Sequence, residues 1–223
     1  MYFCPVSINT GQIFSIDNEA TFENVALEIF KFQAEHCLVY KDYIFHLNIN
    51  PSSISAVKQI PFLPISFFKT HEVLSTITEP EIVFSSSGTT GLTTSKHLVS
   101  DLKIYEESYN KAFKLFYTDP QEICILALLP SYLERDGSSL IYMVDDLLKQ
   151  SKHPKSGYFL HDLASLYQTL LSLKETKQKT ILIGVTYALL DFAEQFKIDF
   201  PELIVMETGG MKGKRKEMIR QEL

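Results

Sequence analysis

Ile123-Cys124-Ile125-Leu126-Ala127-Leu128-Leu129 is the longest unbroken apolar run in the chain, and its seven residues suit a strand better than a helix. No position in it is polar, so both faces of that strand must be covered. Two shorter runs, Ile181 to Val185 and Leu203 to Met206, repeat the pattern. Segments of helical period separate them: one from about Ser139 to Gln150, and another in which Leu163, Leu166, Tyr167, Leu170 and Leu171 recur at i, i+3, i+4, i+7 and i+8. A further helix is expected from about Ser100 to Tyr117. Buried strands bounded by helices predict an α/β layered domain, with helices around a largely parallel sheet and ligand groups at the carboxyl ends of the strands. In the N-terminal part, Phe22, Val25, Ala26, Ile29 and Phe30 predict an amphipathic helix over 21–36 capped by Thr21. Pro61 to Phe68 is apolar enough for core packing, and also for an acyl channel or a partner surface.

The segment from Phe84 to His97, FSSSGTTGLTTSKH, carries the chemistry. Eight hydroxyls and two glycines fall between Ser85 and Ser95. Such residues bury little apolar surface and compete with regular backbone hydrogen bonding, so they form a connection, here between an Ile82 to Phe84 strand and a Lys96 to Val99 strand. One reading is a polar hairpin turn. The other is an anion site, in which Gly88 and Gly91 let the backbone approach a phosphate and the threonine hydroxyls reach its oxygens or a bound magnesium. The spacing fits neither a nucleotide-triphosphatase loop nor a dinucleotide fingerprint.

Three strand ends carry further candidates. Pro130 to Gly137, with Tyr132 and Arg135, follows the first run and reads either as a turn with a paired arginine or as part of a ligand site. Thr186 follows the second and reads as a helix cap. Glu207-Thr208-Gly209-Gly210 follows the third; its paired glycines suit a flat ligand against the backbone or a plain turn. Cys124 reads as a small buried hydrophobe, and Cys4 and Cys37 have no activating base nearby in sequence. The histidines lack metal spacing; only His97 borders the hydroxyl-rich segment. Lys212, Lys214, Arg215, Lys216 and Arg220 read as the solvated face of a helix.

Composition sets the class. A chain of 223 residues, 45% hydrophobic and 22% charged, can bury a substantial core. The apolar runs fall far short of a membrane span, no secretory leader pattern is present, and the cysteines form no disulfide or metal framework, so a cytoplasmic protein is expected. A net charge of −6 argues against a nucleic-acid partner.

Ser87-Gly88-Thr89-Thr90-Gly91 resembles the phosphate loop of the adenylate-forming superfamily, whose usual form is a strand, S-G-T-T-G-x-P-K-G and another strand. The chain departs after Gly91, with Leu92-Thr93-Thr94-Ser95-Lys96, no proline, and the lysine two places late. Leu129 to Arg135, Ser138 to Met143, Glu207 to Gly213, and Ile60 to Lys69 are similar to segments of one branch, the acyl-protein synthetases or long-chain fatty acid luciferin-component ligases. The resemblance implies the N-terminal part of the adenylate-forming fold with a phosphate-binding hairpin loop. It also implies ATP with magnesium as cofactors and a carboxylic, chiefly fatty, acid as substrate. Ser86, Ser87, Gly88, Thr89, Thr90, Gly91 and Lys96 would bind the ATP phosphates, and Thr89 or Thr90 would reach the magnesium of Mg-ATP. Glu207, Thr208, Gly209, Gly210, Tyr132 and Arg135 would line the adenine or acyl pocket.

The implied reaction has two steps. The acid becomes an acyl adenylate, and a thiol then takes the acyl group. The thiol acceptor is a protein cysteine in the synthetases, with an acyl reductase as a possible partner, and coenzyme A in the acyl- and aryl-CoA ligases. A non-catalytic module that binds nucleotide or a partner protein is the third reading. Family members are longer than this chain. Their catalytic residues, the acceptor cysteine and a mobile C-terminal domain would fall beyond Leu223, so residues 1–223 are expected to be an incomplete N-terminal portion.

Overall fold

Asn18, not Thr21, starts the helix expected over 21–36. Its side chain accepts the Thr21 N–H at 2.9 Å while its own N–H donates to Thr21 Oγ1 at 3.2 Å. This reciprocal capping box makes Thr21 the third residue of the helix rather than its cap. A short helix, Thr10–Ile13 (α1), precedes it; the capped helix is Glu19–His36 (α2), and Leu38–His46 (α3) follows at once.

The computed structural model describes residues 10–75, 79–86, 94–129, 137–209, 211 and 215. Two compact units emerge instead of one core, Met1–Ser108 and Tyr109–Leu223. In the first, α2 and α3 bury Phe30, Ala34, Cys37, Tyr40 and Ile44 in a common cluster, against which Ile60, Leu63 and Val73 pack. The Pro61 to Phe68 segment is therefore split: Leu63 joins the cluster, whereas Phe62 and Ile65 are 70% and 82% exposed. Phe67–Thr70 (α4) leads to strands Ile82–Ser85 (β1) and Lys96–Val99 (β2), which pair antiparallel with Phe84 opposite His97 and Ser85 opposite Lys96. The expected pair of strands is present; their connection, residues 87–93, lies outside the described residues. The helix Leu102–Phe116 (α5) contains the division between the units.

The second unit is the α/β layer. Its elements are Cys124–Leu128 (β3), Ser139–Gln150 (α6), Gly157–Tyr158 (β4), Leu163–Glu175 (α7), Thr180–Gly184 (β5), Thr186–Gln195 (α8) and Leu203–Glu207 (β6). The four strands are parallel in the order β4-β3-β5-β6. Every residue of β3 and β5 is buried, as their apolar runs require. The β6 run is equally apolar, yet Ile204 and Val205 are 42% and 54% exposed. Position explains the difference: among the described residues β6 has a neighbour on one side only.

Ser138 caps α6 and Asp162 caps α7 through their side chains. At the other end of the sheet, Ser151 Oγ donates to the Ile123 carbonyl at 2.7 Å, and the Ile125 N–H donates to Ser156 Oγ at 2.9 Å. These two serines tie the entry of β3 to the turn before β4. Gly184 sets the spacing of the layers, because a Cβ there would lie 2.7 Å from the Leu189 branch on α8. Gly184→Ala is expected to destabilise the protein by about 1–3 kcal/mol through overpacking. Urea unfolding monitored by circular dichroism checks this, and Leu189→Ala in the same chain should recover part of the loss.

Candidate functional site

Aromatic contacts and one cap fix the hairpin. Phe84 is buried, with its ring 5.2 Å from that of Tyr105 on α5. On the paired strand, His97 stacks on Phe68 at 5.5 Å and 4°. Glu81 secures the open end: its N–H donates to the Val99 carbonyl at 2.9 Å, and its Oε2 accepts the Leu102 N–H at the start of α5 at 2.8 Å. Just beyond the strands, the Ser86 N–H donates to the Ser95 carbonyl and the Ser95 N–H donates to Ser86 Oγ, each at 3.0 Å. Ser86 is exposed and keeps its hydroxyl proton for a further acceptor. Lys96, also exposed, opens β2 directly opposite Ser85. Ser87, Gly88, Thr89, Thr90 and Gly91 lie outside the described residues.

A second set of residues gathers at the carboxyl ends of the parallel strands. Leu128, Gly184 and Glu207 are in register, so three connections leave one edge of the sheet together. The chain leads from β3 to β4 on one side and from β5 to β6 on the other, which makes the β3–β5 ends a topological switch point. Beside it, at the β5 and β6 ends, Thr186 Oγ1 donates to Glu207 Oε1, which also accepts the Gly209 N–H at 2.7 Å. Thr208 turns back on β5, donating from N and from Oγ1 to the Gly184 carbonyl at 3.0 and 3.2 Å. Gly209 makes the turn possible with φ of +80°. Gly210, Tyr132 and Arg135 lie outside the described residues.

This geometry corrects the reading of Thr186. The α8 cap position belongs to Val185, which offers no side-chain bond, and Thr186 is the first helical residue. Its hydroxyl binds Glu207 instead. A carboxylate thus already sits at the amino end of α8, where the helix dipole favours negative charge. That placement disfavours phosphate at α8. Thr186 is 4% exposed, so Thr186→Val keeps its shape but drops a donor; a loss of about 0.5–1.5 kcal/mol is expected in urea unfolding, with Thr186→Ser restoring part of it. The sequence carried one signal for this contact, since Thr186 and Glu207 each adjoin a run that reads as a buried strand.

Between α8 and the β5–β6 face lies a cleft of about 880 Å³, with Thr186 and Glu207 at one end and Lys197 and Leu203 towards the other. Of the basic run, Lys212, Lys214, Lys216 and Arg220 lie outside the described residues, and Arg215 is partly exposed and ion-paired. Its guanidinium grips α8, with Nε donating to Asp191 at 2.9 Å and Nη1 and Nη2 donating to the two Glu194 oxygens at 2.7 and 2.6 Å. The pairing holds the Glu194 carboxyl below its usual range, first through the Arg215 hydrogen bond. Asp191 and Glu194 are three residues apart on α8, a spacing that places both on one helix face.

Cys124 is fully buried, and burial pushes its thiol up to about 11, so at neutral pH it is not a nucleophilic thiolate. Cys37 is 2% exposed. Neither has the access that an acyl acceptor needs. Among the described residues no group of three or more His, Cys, Asp or Glu side chains is placed to hold a metal ion. No helix among them is long and apolar enough to cross a membrane. Compared with known proteins, the chain matches no protein-family model and no curated protein.

Proposed function

We propose that this chain carries the ATP-binding part of an enzyme that activates a carboxylic acid, with a fatty acid as the favoured substrate, and passes the acyl group to a thiol. The observation that carries the reading is the β1–β2 pair. It brings the two ends of the hydroxyl- and glycine-rich sequence together, and the Ser86–Ser95 bonds close the pair. In this reading a carboxylate oxygen attacks the α-phosphorus of ATP, pyrophosphate leaves, and the acyl adenylate forms. A thiol then attacks the acyl carbon and AMP leaves, giving the thioester.

The protein's part in the first step is positioning and charge stabilisation. Backbone amides around Gly88 and Gly91 and the hydroxyls of Ser86, Ser87, Thr89 and Thr90 bind the polyphosphate, with Lys96 at the base of the hairpin. Magnesium would come with ATP and neutralise phosphate charge, with Thr89 or Thr90 as the residues that would reach it, since Mg²⁺ is usually held by substrate phosphates and waters rather than an all-protein cage. Glu207, Thr208, Gly209 and Gly210, with Tyr132 and Arg135, serve the adenine or acyl group.

Isothermal titration should show Mg-ATP binding by residues 1–223. Carboxylate-dependent exchange of labelled pyrophosphate into ATP by the whole protein checks the activation step. Lack of Mg-ATP binding would overturn the adenylate-forming reading. Binding without exchange, across short, long and aromatic acids, would favour a non-catalytic nucleotide-binding module.

A further inference from the structure

The first unit contains a largely apolar, partly open cavity of about 360 Å³ bounded by α2, the start of α3, and residues between Val57 and Ser75. Ile29, Phe30, Ile60 and Leu63 are among its walls, and none of the residues lining it is charged. Tyr40 closes one side, its hydroxyl donating to the Pro61 carbonyl at 2.9 Å. Phe22 and Phe62, 49% and 70% exposed, also line it and present aromatic surface to water. Such surface at the mouth of an apolar cavity is what a hydrophobic occupant would cover.

Phe68 ties this cavity to the hairpin. It is one of the lining residues, and His97 of β2 stacks on it, one residue along from Lys96 and directly opposite Phe84. We infer that the cavity holds the hydrocarbon chain of the carboxylic acid, with the carboxylate emerging past Phe68 towards His97 and the hairpin. This inference rests on the proposed function, which supplies an acid substrate and places ATP phosphate at the hairpin. The lining suits an acyl chain: it offers dispersion contacts throughout and no fixed charge, so the charged end of the ligand stays outside. The same arrangement accounts for Phe62, whose exposure is otherwise unrewarded in a segment that sends Leu63 into the core.

Dodecanoate is the probe, titrated calorimetrically into residues 1–223, with Mg-ATP titrated separately. Ala26→Phe, which fills the cavity from α2, should weaken dodecanoate binding by about tenfold, the effect of denying the chain roughly two buried methylenes. Phe62→Ala, at an exposed position that leaves the fold unchanged, should weaken it by about threefold or more. Phe45→Ala, on an exposed side chain that does not line the cavity, should not change it. Mg-ATP affinity should stay at the wild-type value in all three variants. If dodecanoate does not saturate the wild type, or binds Phe62→Ala and a folded Ala26→Phe unchanged, the inference is overturned, and intact Mg-ATP binding would then leave the adenylate reading standing. If the variants weaken dodecanoate while the wild type binds no Mg-ATP, the cavity assignment holds and the adenylate reading falls.

Discussion

Valine at Thr89, or at Thr90, is expected to weaken Mg-ATP binding by roughly 10- to 150-fold without shifting thermal unfolding. Each hydroxyl, in the proposed reading, donates to a phosphate oxygen or touches its magnesium. A hydrogen bond to a charged acceptor contributes about 1.5–3 kcal/mol, and valine matches threonine in shape while removing the donor. Stability should hold because a connection of hydroxyls and glycines beyond the Ser86–Ser95 bonds has little apolar surface to give the core. Calorimetric titration beside thermal melts of the same variants checks both halves. Wild-type affinity in both variants would reduce the hydroxyls to turn formers. Loss of affinity only through unfolding would make the segment structural.

Leu126→Ala is the largest stability change expected, about 2–5 kcal/mol. Leu126 is fully buried in the middle of β3, in register with Gly157 of β4 and Leu182 of β5. Truncating it leaves a cavity on one face of the sheet, between β3 and the layer that covers it, because strand side chains stand out of the sheet plane. The measurement is the urea midpoint at unchanged slope. A shift below about 1 kcal/mol would mean that the sheet tolerates rearrangement at its centre, against the close packing of protein interiors.

Local sequence was most informative where one element's own periodicity decided the matter. The helix from Ser139 to Gln150 and the fully buried strands around Leu126 and Ile183 follow from apolar spacing, because a helix stripe or an all-apolar strand has few ways to escape water. The β1–β2 pair was legible for a related reason: an apolar triplet gives way to hydroxyls and glycines and then to a second strand. Helix α3 was not anticipated, since LVYKDYIFH shows no one-sided stripe until Tyr40 and Ile44 are buried by their neighbours.

By itself, then, the sequence determined three of the four parallel strands, the helices between them and the β1–β2 pair, since these depend on residues adjacent in the chain, whereas the two-residue β4 has too little apolar surface to show. The tertiary structure decided the rest. It divided the chain into two units and left β6 exposed because a strand's burial is set by what lies beside it. It also turned Thr186 from a cap into the donor to Glu207 and brought Arg215 onto Asp191 and Glu194. Those contacts join residues more than twenty positions apart, and hydrogen-bond partners at that range are chosen by how strands register and helices dock.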